Sequence, residues 1–192
     1  LVQPDQNGIV QPASVEHQIR ENTRLISIMH VNNELGTINP ISEIAQISHE
    51  KGILFHSDAV QALGKISLNV GDISADFLSM SAHKLYGPKG VGALFIRKGT
   101  DLKPLIVGGG QEANLRASTE NIAGIGGFGM AVKLAAKNLK ENIEYINCLE
   151  NHFLNQLDEQ EIDYKINGTN GVPGVLNITF SNIDGQSLVM QL

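Results

Sequence analysis

Between residues 25 and 96 short apolar runs alternate with polar stretches, each run too short for a helix and too apolar for a loop. Leu25 to Val31, Ile53 to His56, Phe77 to Met80 and Val91 to Ile96 are predicted strands. Ile41 to Lys51 is a predicted helix, opened by Ser42 and closed by Gly52. Strands and helices alternating in this way build a largely parallel sheet with helices on both faces, an α/β fold. From Asn121 to Asp158 the pattern turns helical, with Ala131, Ala135, Leu139, Ile143, Ile146, Leu149, Phe153 and Leu157 on one stripe. This run is too long for one ordinary helix, and Asn138 is its expected break. Beyond it, Tyr164 to Asn167 and Val175 to Phe180 are predicted strands interrupted by the turn Gly168-Thr169-Asn170-Gly171. The expected division is a major domain over residues 1–137 and the start of a smaller α+β domain over residues 138–192.

Within this pattern Lys84 stands out. It lies in the link between two predicted strands, entered through the small residues Ser81-Ala82 and left through Gly87-Pro88. A lysine placed there suits covalent chemistry, such as a Schiff base with a carbonyl cofactor, better than surface solvation. Asp58 follows another short apolar run and would also project from a strand end. Ligands of open α/β sheets sit at the carboxyl ends of strands, so Asp58 and Lys84 are expected to face one crevice.

Four blocks occur in order: Asn32-Asn33-Glu34-Leu35-Gly36; His56-Ser57-Asp58-Ala59-Val60-Gln61; Ser81-Ala82-His83-Lys84-Leu85-Tyr86-Gly87-Pro88-Lys89-Gly90; and Gly108-Gly109-Gly110-Gln111-Glu112 with Arg116-Ala117-Ser118-Thr119. Together they resemble the pyridoxal-phosphate-dependent cysteine desulfurases of the class V aminotransferase family, over nearly the whole chain. The resemblance implies a fold-type I transferase that converts L-cysteine to L-alanine and leaves the sulfur as an enzyme persulfide. It lies on the side of the family that feeds iron–sulfur cluster assembly and tRNA thiolation through a sulfur-acceptor protein. The neighbouring enzyme readings are a selenocysteine lyase or another class V aminotransferase. The non-enzyme reading is a cofactor-free folding module.

The resemblance also implies roles. Lys84 would hold pyridoxal 5'-phosphate and move the substrate's α-proton, and Asp58 would keep the pyridine nitrogen protonated. Gln61 would donate to the ring's phenolic oxygen, with Asn33 near that oxygen and the substrate carboxylate. Ser81 and His83 would bind the phosphate. Thr119 would reach the phosphate of a neighbouring subunit, which implies a homodimer with composite sites. Each residue has a plainer reading on its own: Asp58 as a turn or cap residue, His83 as a structural histidine, Ser118 or Thr119 as the cap of the following helix.

Set against the family pattern, the chain lacks the ring-stacking histidine, the loop bearing the sulfur-accepting cysteine and the arginine for the substrate carboxylate, so by itself it is expected to be inactive. Its single cysteine, Cys148, falls in the helical run; at about 100° per residue it lies roughly 200° from Ile146 and faces away from the apolar stripe. With no signal segment in view, one cysteine fits a reducing cytoplasm. Gly124-Ile125-Gly126-Gly127-Phe128-Gly129 satisfies a dinucleotide fingerprint without the preceding strand, so close packing at a helix start is the expectation. The six histidines show no metal-ligand spacing. A net charge of −6 argues against a nucleic-acid or anionic-membrane surface, and no apolar run reaches membrane-spanning length.

Overall fold

Four strands form the central sheet in the order β1-β2-β3-β4: β1 is Leu25–Met29, β2 Leu54–Asp58, β3 Phe77–Ser81 and β4 Gly92–Ile96. The coordinates, a computed structural model, describe residues 1–169 and 171–191. β1 pairs with β2 and β2 with β3 in parallel, whereas β3 pairs with β4 antiparallel. The sheet is thus mostly parallel, as the pattern predicts. β4 runs the other way because residues 82–91 are too few for the crossover that a parallel return needs.

Helices α1 (Pro12–Gln18), α2 (Ile41–Glu50) and α3 (Val70–Ile73) precede the long α4 (Ile122–Glu159) and the short α5 (Gly185–Val189). Phe55, Ser57 and Leu78 on one sheet face are fully buried and share a core with Ile41, Ile44 and Ala45 of α2. The other face carries His56, Asp58 and Ser79, with Leu25, Leu54 and Leu94 exposed. Asp76 ties the elements at their base: Oδ2 accepts from the Phe55 amide at 2.8 Å and contacts His49 Nε2 of α2 at 3.0 Å.

Several boundaries move. Helix α2 starts at Ile41 with Pro40 as its cap residue, so Ser42 lies in the first turn instead of opening the helix. Gly52 does close it: at φ +67° it adopts the left-handed conformation that glycine tolerates, and its amide donates to His49 O at 3.0 Å. β1 stops at Met29, leaving Val31 in an isolated bridge with Ile38. β5 (Tyr164–Ile166) and β6 (Ile178–Phe180) pair antiparallel and are shorter than predicted. Asn170 of the expected turn lies outside the described residues, while Gly171 bridges to Thr37 and Val172 is buried in the main core.

The expected break at Asn138 is absent. α4 runs unbroken for 38 residues, about 57 Å at 1.5 Å per residue. After Gly129 it contains no glycine or proline, and an isolated asparagine costs only about 0.7 kcal/mol of helix propensity. The apolar stripe is buried mainly at its ends, at Phe128 and Ala131 and again at Leu157, whereas Leu149 and Phe153 are about half exposed.

The glycine-rich start of α4 is a packing device. A Cβ on Gly127 would lie 2.6 Å from Pro88 Cγ, while one on Gly129 would meet nothing. Gly127→Val is therefore expected to destabilise the full-length protein by about 1–3 kcal/mol through overpacking. Gly129→Ala should be neutral or stabilising by up to about 1 kcal/mol. Chemical denaturation of the two variants checks this, and equal stabilities would mean that Gly87-Pro88 does not pack on α4.

Candidate active site

Because β1, β2 and β3 are parallel, their carboxyl ends share one edge, and most of the residues singled out in the sequence collect there. Asn33 lies in the loop after β1, Asp58 is the last residue of β2, and Ser81 is the last of β3. His83 and Lys84 follow in the 3-10 turn Ala82–Leu85. That turn is rigidly seated: Ala82 and Leu85 are buried against Phe128 and Ala131 of α4. The Ala82 amide donates to Val91 O at 3.1 Å and the Gly87 amide to Ala82 O at 3.0 Å. Leu85 points into the core, Lys84 beside it is exposed, and Lys84 Nζ makes no hydrogen bond among the described residues.

Each candidate has a defined setting. Asp58 Oδ1 accepts the Val60 amide at 2.9 Å, so the plain reading as a turn builder holds, while no donor among the described residues reaches Oδ2. Asn32 builds the neighbouring turn, its Oδ1 accepting the Glu34 and Leu35 amides at 2.9 Å each, which leaves Asn33 exposed. Ser81 Oγ and His83 Nδ1 are 2.7 Å apart. Whichever of them donates, one N–H or O–H of the pair stays free to point outward, which suits an anion.

Thr119 is not brought to this group by the described chain. It is exposed in the segment between β4 and α4, where Arg116 Nη1 donates to Ser118 O at 3.2 Å. Neither Ser118 nor Thr119 caps α4; Asn121 does, its side chain accepting the Gly124 amide at 3.0 Å.

Three groups escaped the sequence reading. His56, two residues before Asp58 on the same sheet face, is held by Ser27 Oγ on Nδ1 at 2.7 Å and Ser79 Oγ on Nε2 at 2.9 Å, which links three strands under the site. Burial lowers its pKa, against the pull of the Asp58 charge. Lys65 donates to Gln61 Oε1 and lines the same cleft as Lys84. His30 is buried with Nδ1 unpaired, and burial lowers its pKa too. The sequence carried no signal for His30, which falls inside the predicted strand Leu25 to Val31 and lies just past β1 because β1 stops at Met29.

These two histidines give the fold a pH dependence. Both bind protons less readily folded than unfolded, so their neutral forms impose no penalty above the ordinary histidine value of about 6.5, and stability falls as pH drops from there toward the depressed folded values. The thermal midpoint of the full-length protein is expected to fall between about pH 7 and pH 5, with a shallower slope in His30→Gln. An unchanged slope in that variant would show that His30 is not the proton acceptor.

A cleft of about 820 Å³ opens beside Lys84, with Lys65, His83 and Lys84 on one wall and Ile143, Ile146 and Leu149 of α4 on another. Asp58, Gln61 and Ser81 lie outside its lining. No helix among the described residues is long and apolar enough to cross a membrane.

The aminotransferase class-V family model matches residues 1–192. The chain belongs to this family. It is 47% identical over 190 residues to the cysteine desulfurase IscS of Dictyoglomus turgidum, covering 98% of this chain and 48% of that protein. Among solved structures, a NifS-like protein superposes with a TM-score of 0.91 at 39% identity, covering 97% of this chain and 52% of that one. A structure of SspA in complex with cysteine superposes at 0.79 with 38% identity, covering 98% and 53%. The chain thus spans about half the length of the relatives it matches. Class-V aminotransferases, the cysteine desulfurases among them, are pyridoxal-phosphate enzymes. The donor set at the strand edge fits that cofactor: a carboxylate with a free oxygen for a ring nitrogen, an amide for a ring oxygen, a hydroxyl–imidazole pair for a phosphate and an unpaired lysine for the carbonyl.

Proposed function

We propose that this chain forms the cofactor-bearing part of a cysteine desulfurase. L-Cysteine and a protein thiol give L-alanine and a protein persulfide: the substrate C–S bond breaks, an S–S bond forms and a proton replaces sulfur on the substrate's β-carbon. The observation that carries this reading is that Asp58 ends β2 and Ser81 ends β3 at the same edge of the sheet, with His83 and Lys84 in the turn that follows, in a chain similar to proteins named for that activity.

The cofactor, once bound, supplies an electron-withdrawing ring conjugated to the substrate's α-carbon. Lys84 would hold the cofactor through its carbonyl group and, as a nearby amine, would move the substrate's α-proton. Asp58 offers Oδ2 to the ring nitrogen and holds a proton there; Gln61 donates to the ring oxygen; Ser81 and His83 bind the phosphate; and Asn33 flanks the substrate carboxylate. Thr119, exposed on its loop, serves the site of a second copy in a homodimer. The persulfide passes to a sulfur-acceptor protein, for iron–sulfur cluster assembly or tRNA thiolation. Two separate sheets favour a larger and a smaller domain, divided here into residues 1–137 and 138 onward with α4 running unbroken across the boundary. The chain's lone cysteine supports a reducing, cytoplasmic setting.

The test uses the full-length protein with pyridoxal phosphate. A visible absorption band should appear, and alanine and sulfide should form from L-cysteine in preference to release of selenium from selenocysteine or exchange between an amino acid and a keto acid. Exchange as the dominant reaction would replace this reading with an aminotransferase.

A further inference from the structure

Lys65 sits on the second of two turns that follow Asp58, where the Leu63 amide donates to Ala59 O at 3.0 Å and the Lys65 amide to Ala62 O at 3.0 Å. Gly64, at φ +79°, seats this segment tightly, since a Cβ there would lie 3.2 Å from Ala135 Cβ of α4 and 3.5 Å from Leu85 Cβ of the Lys84 turn. The two lysine-bearing turns are therefore packed against one another. Lys65 is half-buried, and its Nζ is 2.5 Å from Gln61 Oε1.

An ammonium has three donors and no acceptor, so it can meet an amide only at the oxygen. The contact with Lys65 therefore decides which end of the Gln61 amide faces away: both Nε2 hydrogens point elsewhere. Resting on the proposed function, we propose that Lys65 is a positioning residue that locks the Gln61 amide with its donor end toward the ring oxygen of the cofactor. Burial and then the charge of Lys84 lower the Lys65 pKa and so oppose the ammonium form, while the Gln61 oxygen that accepts from Nζ favours it. An ordinary solvated lysine would feel neither effect. Swapping that charge for an apolar side chain frees the amide to rotate and present its oxygen, which would repel an anionic ring oxygen.

The experiment titrates the full-length protein with pyridoxal phosphate and follows the visible band. Lys65→Met should raise the apparent Kd about five-fold, the size of one lost hydrogen bond, and redistribute the band as the donor to the ring oxygen is lost. Lys65→Arg, which keeps a cationic donor, should restore most of the wild-type spectrum. Gln61→Leu should reproduce the spectral change, and Lys65→Met added to Gln61→Leu should change nothing further, because both act through one contact. A wild-type spectrum and affinity in Lys65→Met, or fully additive effects in the double variant, overturns the assignment. A crystal structure of the cofactor-loaded wild type reads the contact without substitution: Lys65 Nζ within about 3.2 Å of Gln61 Oε1 upholds it, and a Lys65 turned to solvent overturns it. If the wild type acquires no band at all, the proposed function fails with it; if only Lys65→Met is silent, the positioning role alone fails.

Discussion

Lys84→Ala is expected to leave the full-length protein folded but without the visible band of lysine-bound cofactor and without detectable turnover. Truncation at this site removes no packing: Lys84 is exposed and unpaired, while its neighbours Ala82 and Leu85 carry the burial that seats the turn. Circular dichroism should therefore match wild type, and the loss will be chemical. No other amine among the described residues has the same placement. Lys65 is occupied with Gln61, and Lys89 lies beyond the Gly87-Pro88 exit on the way to β4. Borohydride reduction of the loaded wild type, followed by peptide mapping, should find the cofactor on Lys84. Label on Lys65 or Lys89, or a persistent band in Lys84→Ala, would remove Lys84 from the chemistry.

Asp58→Asn should retain fold and bound cofactor yet lower alanine formation on the order of 10²- to 10³-fold, the range for losing one preorganised electrostatic partner of charge that develops in the transition state. The substitution is discriminating because the two oxygens of Asp58 are in different settings. Its Oδ1 builds the turn by accepting the Val60 amide at 2.9 Å, and an asparagine oxygen can do the same. Its Oδ2 faces no donor of the described chain, and there the amide lacks the negative charge that, under the proposed function, would keep a ring nitrogen protonated. Steady-state alanine production from L-cysteine measures the difference. Near-normal turnover would reduce Asp58 to its turn.

The sequence by itself determined the order of elements and the main candidates of the site. Short apolar runs bounded by turn residues mark strands because alternation and length are local properties, and Lys84 and Asp58 stand at the ends of such runs. Gly52 was legible as a helix stop because a left-handed residue favours glycine whatever surrounds it. What depended on distant partners was not legible. Asn121, not Ser118 or Thr119, caps α4, since all three residue types suit a cap and the path of the preceding loop chooses among them. Asn138 does not break α4, because propensity is a weak local preference and a long run without glycine or proline outweighs it. The pinning of His56 by Ser27 and Ser79 requires strands 23 to 29 residues apart to pair in one register. The contact of Lys65 with Gln61 is only four residues long, yet its place beside Lys84 exists because Gly64 lets α4, more than 70 residues further along the chain at Ala135, approach the turn. Local sequence sets which conformations are cheap; contacts between remote segments decide which side chains then meet.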